Sequence, residues 1–271
     1  MIKILLPTDF SYSANFAADL AIEMSKKVKA SITFIHLMKF PDGYEQMDAE
    51  ERSTNHSDIL EKHKEAISSL DELVSKAESA NVKAYSLIHD ESNLDYIKDY
   101  AYENKFELII LGYKGANDTP GKISNTFAKH LVSTSDTPVL VLKKPLSKIN
   151  KAALLSDFNE EYIINESWIN GFITKLDIDL SLACINTPSL FFDTRTMMDR
   201  IERFQKHYDV PTNAVIYNDY QFGAGIKHLS EDLELDLLIM NTHGQDNGNS
   251  ITRQVVAHSN CSILSLPVAV Q

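Results

Sequence analysis

The chain has 271 residues, 44% of them hydrophobic and 24% charged, which is the composition of a soluble globular protein with one large domain or two of ordinary size. Its net charge of −12, from 38 acidic and 26 basic residues, repels phosphate backbones and anionic headgroups, so neither nucleic acid nor a membrane surface is expected as a partner. No apolar run reaches the roughly 18 residues of a membrane helix. Met1 to Thr8 lacks the basic region and cleavage site of a signal peptide. Cys184 and Cys261 lie in apolar segments and read as buried, reduced thiols, and the expected location is the cytoplasm.

Ile2 to Leu6 is an apolar run closed by Pro7-Thr8-Asp9 and reads as a buried strand. From Ser13 to Lys27, apolar residues recur at helical spacing, and Ser11 or Ser13 can cap that helix. Ala30 to Met38 is rich in β-branched and aromatic residues and is the next strand. A polar stretch around Glu50 to Ser57 is expected to be mobile, with one long helix after it, and His56 and His63 are expected to be solvated there. Val82 to His89 reads as a strand, Asn93 to Asn104 as a helix, and Glu107 to Leu111 as a strand ending at Gly112. After a loop to about Ser124 come a helix over Phe127 to Ser133 and a last strand over Val139 to Leu142. Strands alternating with helices, several apolar throughout, indicate a parallel sheet covered on both faces.

The second half repeats the first. Lys3 to Phe10 aligns with Lys151 to Phe158, Glu107 to Gly115 with Asp236 to Gly244, and Thr137 to Leu142 with Cys261 to Leu266. The offsets are 148, 129 and 124, so the second copy is shorter by 148 minus 129, or 19, residues between its first and fourth strands, and by five more after the fourth. The boundary falls near Lys144 to Asn150, where Pro145 and Ser147 interrupt the apolar pattern.

In an open parallel sheet, ligands bind beyond the carboxyl ends of the strands, near the point where strand order reverses. The loops after the first and fourth strands are therefore the places to search. Gly112 and Gly115 bracket a turn in which backbone N–H groups can approach a ligand. Asn125 and Thr126 stand just before a predicted helix, whose N-terminus can hold an anion, and Lys114 can add a charge. Asp9 can accept hydrogen bonds from ribose hydroxyls. Each residue also has a plain structural role open to it: turn glycines, a helix cap at Thr126 or Asp9, a solvated Lys114.

Taken together, these segments resemble the universal stress protein family in tandem. Ile4 to Ser11 is similar to the family's first strand and aspartate turn. Gly112, two residues, Gly115, nine residues and then Asn125-Thr126 keep the spacing of the family's glycine pattern, with Asn125 in place of its third glycine. Thr137 to Val141 is similar to its last strand. The resemblance implies an α/β, Rossmann-like fold of the adenine nucleotide alpha-hydrolase-like kind. Two tandem doubly wound five-stranded parallel-sheet domains, residues 1–146 and 147–271, would form a pseudo-two-fold pair. It also implies ATP or AMP as ligand, ATP with Mg. Pro7, Thr8 and Asp9 would flank the adenosine, Leu37 would lie against adenine, and Gly112, Gly115, Asn125 and Thr126 would hold the phosphates, with Lys114 the added charge already noted. In the second copy Asn241 replaces the first glycine, Leu155 stands where Pro7 does, and only Gln245 to Gly248 separate Gly244 from Asn249-Ser250. That half is expected to be degenerate and mainly structural.

The function expected is a nucleotide-binding regulatory or stress-response protein. The alternatives are a protein without nucleotide, acting through protein contacts or another small ligand, and a slow ATPase. Pyrophosphatase and adenylyltransferase loops are absent, no metal cluster is evident, and no residue stands out as a catalytic base. Val139 to Leu142 is expected to pair with Ile263 to Leu266 inside one molecule, covering edge strands that otherwise invite association. A homodimer of such chains is a further expectation that the sequence leaves open.

Overall fold

The computed structural model describes residues 2–90, 95–113, 125–158, 166–206, 213–242, 255–256 and 259–267. The first half runs β1 (Lys3–Pro7), α1 (Tyr12–Val28), β2 (Ser31–Met38), a 3-10 turn (Tyr44–Gln46), α2 (Ala49–Asn55), α3 (Ser57–Ser79), β3 (Lys83–Asp90), α4 (Tyr96–Glu103), β4 (Leu108–Gly112), α5 (Asn125–Thr134) and β5 (Val139–Leu142). The second runs β6 (Lys151–Leu155), α6 (Glu166–Leu176), β7 (Asp179–Asn186), α7 (Thr194–Gln205), β8 (Asn213–Asn218), α8 (Phe222–Asp232), β9 (Leu237–Thr242) and β10 (Ser262–Pro267). All ten strands form one sheet in the order β3-β2-β1-β4-β5-β10-β9-β6-β7-β8. Pairing is parallel within each half and antiparallel only between β5 and β10. The structure is thus two doubly wound, five-stranded units joined edge to edge, as the alternating pattern implied.

The join is symmetric to the residue. Leu140 faces Leu264, Val139 faces Ser265, and Val141 faces Ile263. Leu140 and Leu264 are also counterparts in the sequence repeat, since 264 minus 140 is 124. A residue that pairs with its own counterpart lies on a two-fold axis, so the chain holds within itself the isologous contact of a dimer. Burial follows. One core face carries α1, α3, α6 and α7, with Leu20, Leu70, Phe172 and Ile201 among its residues, and it is continuous across the join. The other carries α4, α5 and α8, with Ile97, Leu131 and Leu229, and is continuous too.

The duplication extends to backbone conformation. Left-handed φ angles recur at Phe10 (61°) and Phe158 (51°), Lys29 (55°) and Asp177 (58°), and Lys105 (57°) and Glu234 (52°). Each pair occupies equivalent positions after a strand or helix. The expectation of a mobile stretch over 50–57 is corrected, since α2 occupies most of it. Asp48 caps α2 through the N–H groups of Glu50 and Glu51, and Glu51 Oε2 accepts from the Asp48 N–H. This reciprocal cap outweighs the polar composition. His56 and His63 are not simply solvated either. They stand edge-on to Tyr44 and Phe40, at ring distances of 6.0 and 5.4 Å.

A buried amine fastens the join. Lys143, just beyond β5, donates from Nζ to the carbonyls of Val256 and Ser259, the latter at 2.9 Å, and lies 4.6 Å from the centre of the Tyr113 ring. The Ser265 hydroxyl makes the counterpart bond, 2.9 Å to the Val132 carbonyl. Burial pushes the Lys143 ammonium down to about 8, with repulsion from Lys129 adding and Cys261 opposing. Between pH 8 and 10.5 the unfolded chain therefore holds the proton that the folded chain has released, and stability gains with pH across that window. Lys143→Met removes this gain. Urea unfolding across the same window should show the wild type improving relative to the variant as pH rises, and a constant difference would contradict the assignment.

Candidate functional site

From β1 the chain winds outward to β2 and β3 on one side, then returns to place β4 and β5 on the other. Strand order therefore reverses between β1 and β4, and in open parallel sheets ligands bind beyond the carboxyl ends of the strands at such a point. The turn after β1 is tightly specified. Pro7 is the last residue of the strand, and the Thr8 N–H extends the ladder to the Ile35 carbonyl at 2.8 Å. The buried Thr8 hydroxyl oxygen accepts from the Phe10 N–H at 3.1 Å. Asp9, half-buried, accepts the Ser11 N–H on Oδ1 at 3.2 Å. Ser11, not Asp9 or Ser13, then caps α1 through the Ala14 N–H.

Phe10 holds a left-handed backbone, which costs a residue other than glycine on the order of 1–3 kcal/mol. Its surroundings offset that cost. The Phe10 ring stacks on His36 at 4.6 Å, and His36 Nδ1–H donates to the Thr8 carbonyl at 2.8 Å. His36 is a residue that sequence reasoning passed over, because one histidine inside an apolar strand matches no motif. Its position two residues before the end of β2 was the available signal.

Gly112 ends β4 and is fully enclosed by protein. A Cβ there would lie 2.1 Å from the Ser13 carbonyl oxygen and 2.3 Å from its carbon. Glycine is thus required because the first turn of α1 crosses the end of β4, whatever else the position does. In the second half Asn241 occupies this position, and its Oδ1 is buried without a partner among the described residues.

Leu37, in β2, packs in the core face shared with Leu5, Ile109 and Leu111, with only 9% of its surface exposed. Asn125 and Thr126 are the first residues of α5 rather than the residues before it. Asn and Thr favour helix starts through their side chains, and propensity alone places the start too late. Asn125 is half-buried and Thr126 exposed. Because α5 connects two parallel neighbours, it runs back along them, and its N-terminus lies at the carboxyl edge. Pro7, Thr8, Asp9, Leu37, Gly112, Asn125 and Thr126 thus gather on one rim. Lys114 and Gly115 lie outside the described residues.

The rim has two further features that the sequence reading missed. The His89 ring stacks on Tyr96 at 3.5 Å. Asp95, just before α4, accepts from Lys98 Nζ at 2.8 Å and lies 2.7 Å from His130 Nε2 on α5. Lys98 first and His130 second hold the Asp95 carboxyl below the usual carboxylate range. Among the described residues, no group of three His, Cys, Asp or Glu side chains could hold a metal ion.

The second half keeps the turn and loses the imidazole. The Ser156 N–H reaches the Ala183 carbonyl at 3.1 Å, and the Ser156 hydroxyl accepts from the Phe158 N–H at 3.0 Å. Cys184 stands where His36 does, a buried thiol pushed up to about 11. The Phe158 ring instead meets Phe204 edge-on at 5.0 Å, and Arg200 donates to the Asp157 carbonyl. Gly244 and the segment through Ser250 lie outside the described residues.

Gly112→Ala tests the crossing directly. The added methyl group meets backbone rather than a flexible side chain, so a loss of at least about 2 kcal/mol is expected in urea unfolding without any ligand. A neutral outcome would mean that α1 and β4 are not locked together.

Comparison with known proteins follows the same lines. The profile described as the universal stress protein family matches residues 1–143. Universal stress protein MJ0531 of Methanocaldococcus jannaschii is 27% identical over 143 residues, 53% of this chain and 82% of the relative. A universal stress protein structure from Archaeoglobus fulgidus is 15% identical, covers 98% of each chain and superposes with a TM-score of 0.73. The functionally unknown protein PA1789 from Pseudomonas aeruginosa is 13% identical, covers 98% of this chain and 92% of its own, and gives 0.66. These two structures share the whole arrangement of both halves, and with the profile match over the first half the chain belongs to the universal stress protein family.

Proposed function

We propose that the first half binds an adenine nucleotide, ATP or AMP, and that the protein is a nucleotide-responsive regulatory or stress-response protein rather than a committed enzyme. The observation that carries this reading is the gathering of Thr8, Asp9, Gly112 and the α5 N-terminus at the strand-order reversal. In this reading residues 1–146 form the ligand-binding domain and 147–271 its structural partner, in a cytoplasmic protein. The Asp9 carboxylate accepts from the ribose hydroxyls, the end of β2 at Leu37 borders the base, and the N–H groups opening α5 face the phosphates, with Lys114 and Gly115 ahead of them. The donor set suits an uncharged base and an anionic tail: apolar β2, one carboxylate, then a helix start. His36 supports the site by holding the Thr8 carbonyl and the Phe10 ring, which sets the direction of Asp9.

One observation favours a second reading. Asn125 adds a half-buried side chain where the family's glycine pattern has none. If that side chain fills the phosphate position, the protein acts without nucleotide, through protein contacts or another small ligand. A homodimer then needs a surface other than β5 and β10, since each is already paired with the other.

Protein purified without added nucleotide and then denatured should release adenine nucleotide on chromatography. Calorimetric titration with ATP and with AMP should show at least about tenfold weaker binding, or 1.4 kcal/mol, for Asp9→Ala and Gly115→Ala. His36→Leu should weaken binding less, by about threefold to fivefold, a comparison of a residue touching ligand with one positioning it. No nucleotide in either experiment would select the second reading, and fast turnover of ATP would make the protein an enzyme.

A further inference from the structure

The end of the β7–β8 pair differs from its counterpart in the first half in one respect with chemical consequences. In the first half the last register pair of β2 and β3 is Met38 and Asp90. The connection that follows, residues 39–56, folds over it. The Phe40 N–H contacts Asp90 Oδ1 at 3.4 Å, and the Phe40 ring stacks on Tyr44 at 5.2 Å. Tyr44 is 3% exposed, with Arg52 over its ring at 5.0 Å. Aromatic side chains thus cover that strand end.

In the second half the equivalent register pair is Asn186 and Asn218, and the connection shrinks to residues 187–193. That short connection closes on itself, with Thr187 and Leu190 exchanging N–H bonds of 3.0 and 3.1 Å. A cavity of about 720 Å³ opens over the strand ends, bordered by Asn218, Asp219, Tyr220, Phe191 and His228. Two of its rings are held out into water: Tyr220 is 90% exposed and Phe191 68%. Its floor is rigid. Asn186 is 3% exposed, and its amide donates to the Phe192 carbonyl and to Asn218 Oδ1, both at 3.1 Å.

We propose that this cavity is a second ligand site, for a small neutral heteroaromatic ring that carries both a hydrogen-bond donor and an acceptor. The polar groups specify the edge. Asn186 occupies Asn218 Oδ1, which leaves the Asn218 Nδ2 hydrogens as donors. His228 Nδ1–H donates to Asp219 Oδ2 at 2.7 Å, so Nε2 is the ring atom left to face a ligand, an acceptor whenever the imidazole carries a single proton. The rings of Phe191 and Tyr220 supply flat apolar surface, and a concave site with apolar walls and a few polar groups is the ordinary form of a small-molecule pocket. Charge sets the exclusion. Among the described residues no lysine or arginine borders the cavity, and Asp219 is a carboxylate. Phosphates and other anions are repelled, so the site does not duplicate the nucleotide function proposed for the first half. Nor does it use the equivalent positions, since Leu155, Asp157 and Ile185 are not among the residues that line it.

Saturation-transfer NMR on the full chain tests the assignment, with nicotinamide as probe and cyclohexanecarboxamide as its saturated control. Nicotinamide should receive saturation and the control should not. Tyr220→Ala and Phe191→Ala should each weaken binding by about threefold to tenfold, and because both rings are exposed neither change threatens folding. Excess AMP should leave the signal unchanged, which separates this site from the one proposed in the first half. His228→Phe keeps a ring and deletes the acceptor, and it should also weaken binding. Absence of transfer to nicotinamide, equal transfer to the saturated amide, or a signal lost with excess AMP but kept in Tyr220→Ala would each overturn the proposal.

Discussion

The antiparallel contact between β5 and β10 governs the rest of the molecule. Each is the last strand of a parallel unit, and each would otherwise present unpaired N–H and C=O groups at an edge. Pairing them on a two-fold axis between Leu140 and Leu264 turns two five-stranded sheets into one. It also makes both helical layers continuous, because a two-fold axis perpendicular to the sheet keeps corresponding helices on the same face. The Lys143 ammonium and the Ser265 hydroxyl then close the join from its two sides.

The same symmetry sets where ligands can bind. Antiparallel contact points the carboxyl edges of the two halves in opposite directions. The rim with Thr8, Asp9 and the start of α5 therefore lies on one edge of the sheet, and the cavity beside Asn186 and Asn218 on the other. A ligand at one site cannot touch the other. Any communication would have to pass through the shared cores or through the seam at Lys143 and Tyr113.

The two halves differ at these rims. The strained turn persists in both halves, with Phe10 and Phe158 in the left-handed region and a hydroxyl from Thr8 or Ser156 accepting the same N–H. Its support has changed, with His36 on one side and Phe204 on the other. The shorter connection after β7 leaves Phe191 in the open, where Tyr44 is buried in the first half.

The sequence alone determined the strand and helix alternation, the repeat with its offsets, and the residues of the turn after β1. These are written locally: apolar runs for buried strands, helical periodicity for the covering layers, and glycine or small polar residues at turns. It also carried the Asp48–Glu51 cap of α2, a local signal that a reading weighted toward composition overlooked. Only the tertiary structure decided why Gly112 is glycine, since Ser13 is a hundred residues away in the chain and meets it through the crossing of α1 over β4. The role of His36 was equally hidden, because its partners Thr8 and Phe10 come from another strand. Burial of Lys143 and the opening at Asn186 and Asn218 depend on contacts between distant segments, and on side chains missing from one half and present in the other. Such contacts leave no periodic trace in a sequence, which records what each segment can form but not what it will meet.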